Sequence, residues 1–204
     1  MRDPRQLAFP HCRSADQDRP QPTHHPVVIV GAGPAGLAAA LGLAARGQAS
    51  TVIDRKGGLS EGSRAICWSK RTLEIMDRLG VAEALLERGV TWRSCKVFLD
   101  TRLIYTFDLL PESGHRMPAF VNLQQYFFEH YAVEAAQRAG LVDLRWQEDV
   151  TGIEPTADGT LLSIATPEGS YRILADWVIA ADGARSTLRR LMKLGFEGRM
   201  FADQ

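Results

Sequence analysis

The chain has 204 residues, 45% hydrophobic and 24% charged, enough apolar content for a buried core and a size that fits one domain with a fraction of a second. Lysine plus arginine equals aspartate plus glutamate at 24 each, so the net field selects neither nucleic acid nor an anionic membrane as a partner. The three cysteines, Cys12, Cys67 and Cys95, form no C-x-x-C pair, which excludes a disulfide framework and a zinc pattern and points to reduced thiols in a cytoplasmic protein.

Residues 1–26 are rich in proline and mixed charge and contain no apolar run of the kind found in a secretory signal, which predicts a flexible tail. His11, His24 and His25 have no acids or cysteines at ligand spacing, so they read as solvated histidines and no metal site is expected. Beyond the tail, no apolar run approaches the ~20 residues of a membrane span.

Residues 27–37 read Val-Val-Ile-Val-Gly-Ala-Gly-Pro-Ala-Gly-Leu, a buried strand running through a glycine turn into a helix. Gly31 permits the tight turn, Gly33 lets the main chain approach a phosphate, and Gly36 lets the helix pack closely on the strand. Pro34 suits the first helical turn, where its missing N–H costs little, and Ala35 continues it. Apolar spacing carries the helix through Leu37, Ala40, Leu41 and Ala44 to a stop at Arg46 and Gly47. A second strand, Ser50–Asp54, completes a βαβ unit, and Asp54 at its end can accept hydrogen bonds from the ribose hydroxyls of an adenosine. An acid there disfavours a 2′-phosphate, so the expected tightly bound nucleotide is FAD or NAD(H).

Residues 55–64 are glycine-rich and charged and predict a loop at the nucleotide end of the sheet. Ser69 is a candidate N-cap for a helix with Leu73, Met76 and Leu79, ended by Gly80, and a short helix follows over 81–88. Residues 91–100 and 103–109 are rich in β-formers and predict two strands joined by a turn, where Trp92, Phe98, Tyr105 and Phe107 are either pocket-lining or packing residues. An apolar stripe over 122–139 predicts a core-facing helix. Residues 141–146 then read as a parallel strand, and 150–153, 161–166 and 171–174 as an antiparallel meander with turns at Asp158-Gly159 and Glu168-Gly169. Residues 176–183 form a further buried strand ending in Asp182-Gly183, followed by a helix over 184–190. The expected fold is therefore α/β: a Rossmann-like, three-layer FAD/NAD(P)-binding domain over 27–204 with a β-meander, in which 90–118 begins a substrate-binding sheet.

Taken together, these separated motifs resemble the FAD-dependent aromatic-ring monooxygenases of the para-hydroxybenzoate hydroxylase and phenol hydroxylase kind. The resemblance is carried by residues 31–36, by Asp54-Arg55, by Ser63-Arg64-Ala65-Ile66 with Lys70-Arg71-Thr72-Leu73-Glu74, by Gln125 with Glu129, and by Asp182-Gly183. It implies that Gly31, Gly33 and Gly36 hold the FAD pyrophosphate with Pro34 and Ala35, and that Asp54, beside Arg55, holds the adenosine ribose. Arg64 and Gln125 would serve the pyrophosphate–ribityl region. Asp182 and Gly183 would form the turn used for FAD and NAD(P)H, supported by Ser186 and Arg189. It further implies NADH or NADPH as reductant, O₂ as co-substrate and a small aromatic substrate. A cation beside a dianionic pyrophosphate gains charge-assisted hydrogen bonds, which favours Arg64 as a ligand contact.

The resemblance also implies a Gly-Asp motif and most of a substrate-binding sheet beyond Gln204, so the chain is expected to be C-terminally incomplete, and no catalytic residue is assigned. Tyr105 and His115 are the titratable side chains of the presumptive substrate segment, each more often a packing tyrosine or a surface histidine than a catalytic group. Two other readings stay open: a flavin-dependent reductase of the same fold, and a truncated, non-catalytic FAD-binding fragment.

Overall fold

In the computed structural model, residues 3–61, 65–110 and 112–199 are described. The chain builds β1 (Thr23–Val30), α1 (Pro34–Ala44), β2 (Ser50–Asp54), β3 (Cys67–Ser69), α2 (Lys70–Arg78), α3 (Ala82–Arg88), β4 (Val90–Trp92), β5 (Ser94–Leu99), β6 (Arg102–Asp108) and β7 (Phe120–Asn122). It continues with α4 (Gln125–Ala139), β8 (Val142–Trp146), β9 (Asp149–Thr156), β10 (Gly159–Thr166), β11 (Gly169–Ala180) and α5 (Thr187–Leu191).

Six strands form one mixed sheet in the order β8-β2-β1-β11-β10-β9. The pairs β8/β2, β2/β1 and β1/β11 are parallel; β11/β10 and β10/β9 are antiparallel. Alternate residues of the parallel strands bury opposite faces, as the two-residue period of a strand requires. Val27, Ile29 and Val52 join a core with Leu37 and Leu41 of α1 and Phe128, Ala132 and Ala136 of α4. Val28, Val30 and Ile53 join a second core with Leu162, Ile164 and Ile173 of the meander and Leu188 of α5. Helices, parallel sheet and meander are thus the three layers expected from the sequence.

The boundaries follow local chemistry. Pro34 stands in the first turn of α1 behind Gly33 as N-cap, and Gly47 takes φ +74° where the chain leaves the helix. Gly140 ends α4 at φ +66°. Ser69 sits at the N-cap of α2, but its hydroxyl meets the Thr72 hydroxyl at 3.1 Å and caps no backbone N–H. Met76 is buried in the core, as expected. Among the described residues no helix is long and apolar enough to cross a membrane.

Three expectations differ. First, residues 3–26 are not a flexible tail: they hold two 3-10 turns, Pro4–Gln6 and Ala15–Asp18, and β1 already starts at Thr23, pairing with Ile173 of β11. Of the tail histidines, His11 and His25 are held away from solvent beside carboxylates, whereas His24 is exposed as expected although it too meets a carboxylate. His25 Nε2 lies 2.9 Å from Asp16, His24 Nε2 2.6 Å from Asp176, and the His11 side chain is only 6% exposed beside Glu148. Second, the meander strand and the strand expected over 176–183 are one continuous β11, which pairs with β10 as far as Ala175 and with β1 from Ile173 onward. Third, the helix expected over 122–139 begins only at Gln125, and Asn122 instead ends β7, the centre of a small sheet ordered β3-β7-β4. The hairpin β5-β6 stands apart from both sheets, with Phe98, Leu103, Ile104, Tyr105 and Phe107 exposed.

Candidate functional site

A cleft of about 510 Å³ lies where β1, β2 and β11 end, at the carboxyl edge of the parallel strands. From β1 the chain moves to β2 on one side, and the later β11 pairs on the other, so the strand order reverses at β1. Open α/β sheets leave a crevice at such a point, because consecutive connections depart to opposite faces.

The glycine turn forms one wall. Gly31 has φ +107°, and a Cβ there would stand 2.4 Å from the Ala181 carbonyl oxygen, so no side chain fits between β1 and the turn after β11. The turn is tied on both sides: Gly31 N–H donates to Ile53 O at 2.8 Å, and Ala181 N–H donates to Val30 O at 2.8 Å. A Cβ on Gly36 would stand 1.8 Å from the Gly31 carbonyl oxygen, so α1 approaches the strand as closely as backbone allows. Gly33, by contrast, has nothing within 4 Å of its missing Cβ and lines the cleft with Gly31, Pro34 and Ala35. No side chain caps the eleven-residue α1, which presents its first-turn amides and the positive end of its dipole at the cleft. Close backbone approach plus amide donors fits a pyrophosphate.

Asp54, at the end of β2, joins the two loops beside it: Oδ2 accepts from Ala32 N–H at 2.7 Å and Oδ1 from Lys56 N–H at 2.8 Å. Each carboxylate oxygen has a second lone pair for a sugar hydroxyl. Arg55 and Lys56 line the same end of the cleft. Arg64 lies outside the described residues.

A buried carboxylate holds the opposite wall. Glu129 of α4 is 1% exposed and accepts from Ser60 N–H at 2.7 Å, from the Ser60 hydroxyl at 2.7 Å and from Gln125 Nε2 at 2.7 Å. Gln125 Nε2 also reaches Ser60 Oγ at 3.2 Å, and both Gln125 and Ser60 line the cleft. With its amide nitrogen committed to these acceptors, Gln125 keeps its carbonyl oxygen as its remaining polar atom.

The turn after β11 supplies Asp182 and Gly183 to the cleft. Asp182 Oδ2 accepts from the N–H groups of Thr187 at 2.6 Å and Leu188 at 3.1 Å, so this carboxylate also caps α5. Ser186 Oγ accepts from Arg189 N–H at 3.0 Å and Arg189 Nη1 donates to Ala184 O at 3.0 Å.

Glu148 and Asp149 complete the lining between β8 and β9. Glu148 is 1% exposed and accepts a hydrogen bond from the Tyr171 hydroxyl. Burial pushes its carboxyl above the ordinary range, against the opposing pull of Tyr171, Arg145 and His11. Burial also raises the Tyr171 phenol. Burial opposes the Arg145 charge, but Asp143 and Tyr171 outweigh it and keep the guanidinium protonated.

The structure therefore brings Gly31, Gly33, Pro34, Ala35, Asp54, Arg55, Gln125, Asp182 and Gly183 to one cleft, with Gly36 packed directly behind it. It does not bring Tyr105, His115, Trp92, Phe98 or Phe107 there. Trp92 instead stacks on Phe120 at 4.9 Å and donates to Asn122 Oδ1 at 2.9 Å. Sequence reasoning missed Ser60 and Glu148 as lining residues and the buried role of Glu129. For Glu129 the signal was present: an acid placed among Phe128, Ala132 and Ala136 on the apolar stripe of a helix. Glu148 gave no such signal, because its burial comes from Tyr171 on a distant strand.

A family model described as FAD binding domain matches residues 24–203. The 12-dehydrotetracycline 5-monooxygenase/anhydrotetracycline 6-monooxygenase of Streptomyces rimosus subsp. rimosus is 34% identical over 86% of this chain and 35% of its own length. The para-nitrophenol 4-monooxygenase of Pseudomonas sp. strain WBC-3 is 29% identical over 84% of this chain and 43% of its own. Among solved structures, p-nitrophenol 4-monooxygenase PnpA from Pseudomonas putida DLL-E4 superposes with a TM-score of 0.83 at 30% identity, covering 89% of this chain and 46% of that one. The flavin-dependent monooxygenase PieE, solved with FAD and substrate, gives 0.77 at 27% identity, covering 88% and 34%. The chain thus spans less than half the length of these relatives.

Proposed function

The chain belongs to the FAD binding domain family, and on that premise we propose that it forms the FAD site of an NAD(P)H-dependent flavoprotein monooxygenase that hydroxylates a small phenolic substrate with O₂. The observation that carries this reading is the glycine turn: Gly33 is open toward the cleft while Gly31 and Gly36 are closed by backbone, the arrangement a pyrophosphate requires. Bound FAD supplies the redox chemistry, taking reducing equivalents from NADH or NADPH and passing them to O₂.

The chain's own residues bind and orient. The amides of Gly33 and of the α1 first turn would meet the pyrophosphate, and Asp54, held by the Ala32 and Lys56 amides, would accept from the adenosine ribose with Arg55 beside it. Gln125 would offer its carbonyl oxygen to hydroxyls of the ribityl chain. Asp182 and Gly183, in the turn after β11, would border the bound cofactor. The aromatic-substrate reading draws its support from the relatives' names, para-nitrophenol 4-monooxygenase among them. The exposed aromatic hairpin β5-β6, within residues 90–118, fits the start of a substrate-facing sheet. Cys12, Cys67 and Cys95 are free thiols, which suits a cytoplasmic setting.

The test is oxidation of NADH or NADPH in air by the FAD-loaded chain with and without a panel of phenols. The expected result is reductant consumption stimulated by a phenol, with O₂ uptake and hydroxylated product in step. Reduction of an alkene or quinone acceptor without O₂ uptake would contradict it and favour a reductase of the same fold.

A further inference from the structure

Residues 3–22 precede the family match at 24–203, yet they pack against the loop and the carboxylate that border one end of the cleft without lining it themselves. Phe9 stacks on Trp146, at the end of β8, with ring centroids 4.5 Å apart and planes 14° from parallel. Its N–H donates to Gly57 O at 2.8 Å, and its carbonyl accepts from Gln147 Nε2 at 3.1 Å. Ala8 bridges to Gly58 as an isolated antiparallel pair. From the other side, Gln147 N–H donates to Lys56 O at 3.1 Å, and its side chain fills the space over Gly57, where a Cβ would come within 2.6 Å. The loop 55–58 is therefore gripped between the N-terminal segment and Gln147, and this same loop carries Arg55 and Lys56 into the cleft next to Asp54.

Further along, the segment meets the cleft lining a second time. His11 Nε2 stands 3.5 Å from Glu148 Oε1, both side chains being buried, and Glu148 lines the cleft. Beyond it, Asp16 is fixed by Arg145 at 2.7 Å and by His25 at 2.9 Å, and Gln17 reaches Thr166 at 3.3 Å.

We propose that residues 3–22 act as a strap for the adenosine end of the cofactor site, with Phe9 and His11 as positioning residues that set loop 55–58 and Glu148 without touching the cofactor. The proposal rests on the FAD reading above. A loop containing Gly57-Gly58 has wide conformational freedom, and ordering it on ligand binding lowers affinity; a strap that orders it beforehand removes that loss. The effect is local to the ligand's adenosine half.

The test uses the full 204-residue chain. Dissociation constants for FAD, ADP and FMN are measured by titration calorimetry, with thermal midpoints of the ligand-free proteins alongside. Phe9→Ala is expected to weaken FAD and ADP about tenfold, to leave FMN binding as in wild type, and to be rescued by Phe9→Tyr, which keeps the stacked ring. Gln147→Gly gives the same loss by a second route, since glycine keeps the left-handed backbone at φ +60° while releasing Phe9 and Gly57, and it serves if Phe9→Ala does not fold. Unchanged FAD and ADP affinity in the folded variants, or an equal loss for FMN, overturns the strap while leaving the cofactor reading intact. A wild-type chain that binds neither FAD nor ADP overturns both.

Discussion

Gly36→Ala is expected to abolish flavin binding and to destabilise the fold by about 3 kcal/mol or more, at or beyond the upper end of overpacking costs. The methyl would meet the Gly31 carbonyl oxygen at 1.8 Å, and backbone, unlike a flexible side chain, cannot rotate away. The helix must lift from β1, and with it go the amides of the first turn. Gly33→Ala provides the contrast. Its methyl meets nothing within 4 Å, so stability should change by no more than about 1 kcal/mol, while the surface a phosphate needs becomes occupied. Urea unfolding and FAD titration of the two variants separate the effects. Equal loss of stability in both would contradict this division of roles.

Glu129→Ala is expected to cost about 3–5 kcal/mol and to lower the thermal midpoint by on the order of 10 °C. The substitution leaves a cavity and strips a buried acceptor from the Ser60 N–H, the Ser60 hydroxyl and the Gln125 amide. Both residues line the cleft, so flavin affinity per folded molecule should fall as well. Glu129→Gln should lie between, since one oxygen still accepts while the new amide faces a donor. A midpoint for Glu129→Ala within 2 °C of wild type, checked by circular dichroism melting, would contradict the account of this wall.

Legibility in the sequence followed how local the physics was. The βαβ unit could be read because its determinants lie within one turn of chain: Gly31, Pro34 and Gly36 act on their own neighbours, and Asp54 ends the strand it belongs to. The structure placed each where the spacing predicted. Residues 3–26 could not be read this way. Their order depends on Trp146, Arg145 and Glu148, more than a hundred positions away, and nothing in a stretch of prolines and charges announces such partners. The strands β3 and β7 are three residues each, too short to show a period. The continuity of β11 was not legible, because the change of strand partner near Asp176 leaves no mark in the local sequence. In the structure Asp176 sits at the strand's exchange of partners and meets His24. Glu129 was visible as an acid on an apolar stripe, but its role became legible only once Ser60 arrived from a loop 69 positions earlier.

FAD binding in the cleft at the ends of β1, β2 and β11 can be read directly from the colour of the protein. The most direct measurement is the visible absorbance and flavin fluorescence of the purified chain after mixing with FAD and passage through a desalting column, with Gly33→Ala in parallel. Retained yellow flavin is expected in wild type, displaced by excess ADP, with markedly less in Gly33→Ala. A folded wild-type chain that emerges colourless, or that holds flavin equally well in both forms, would contradict it.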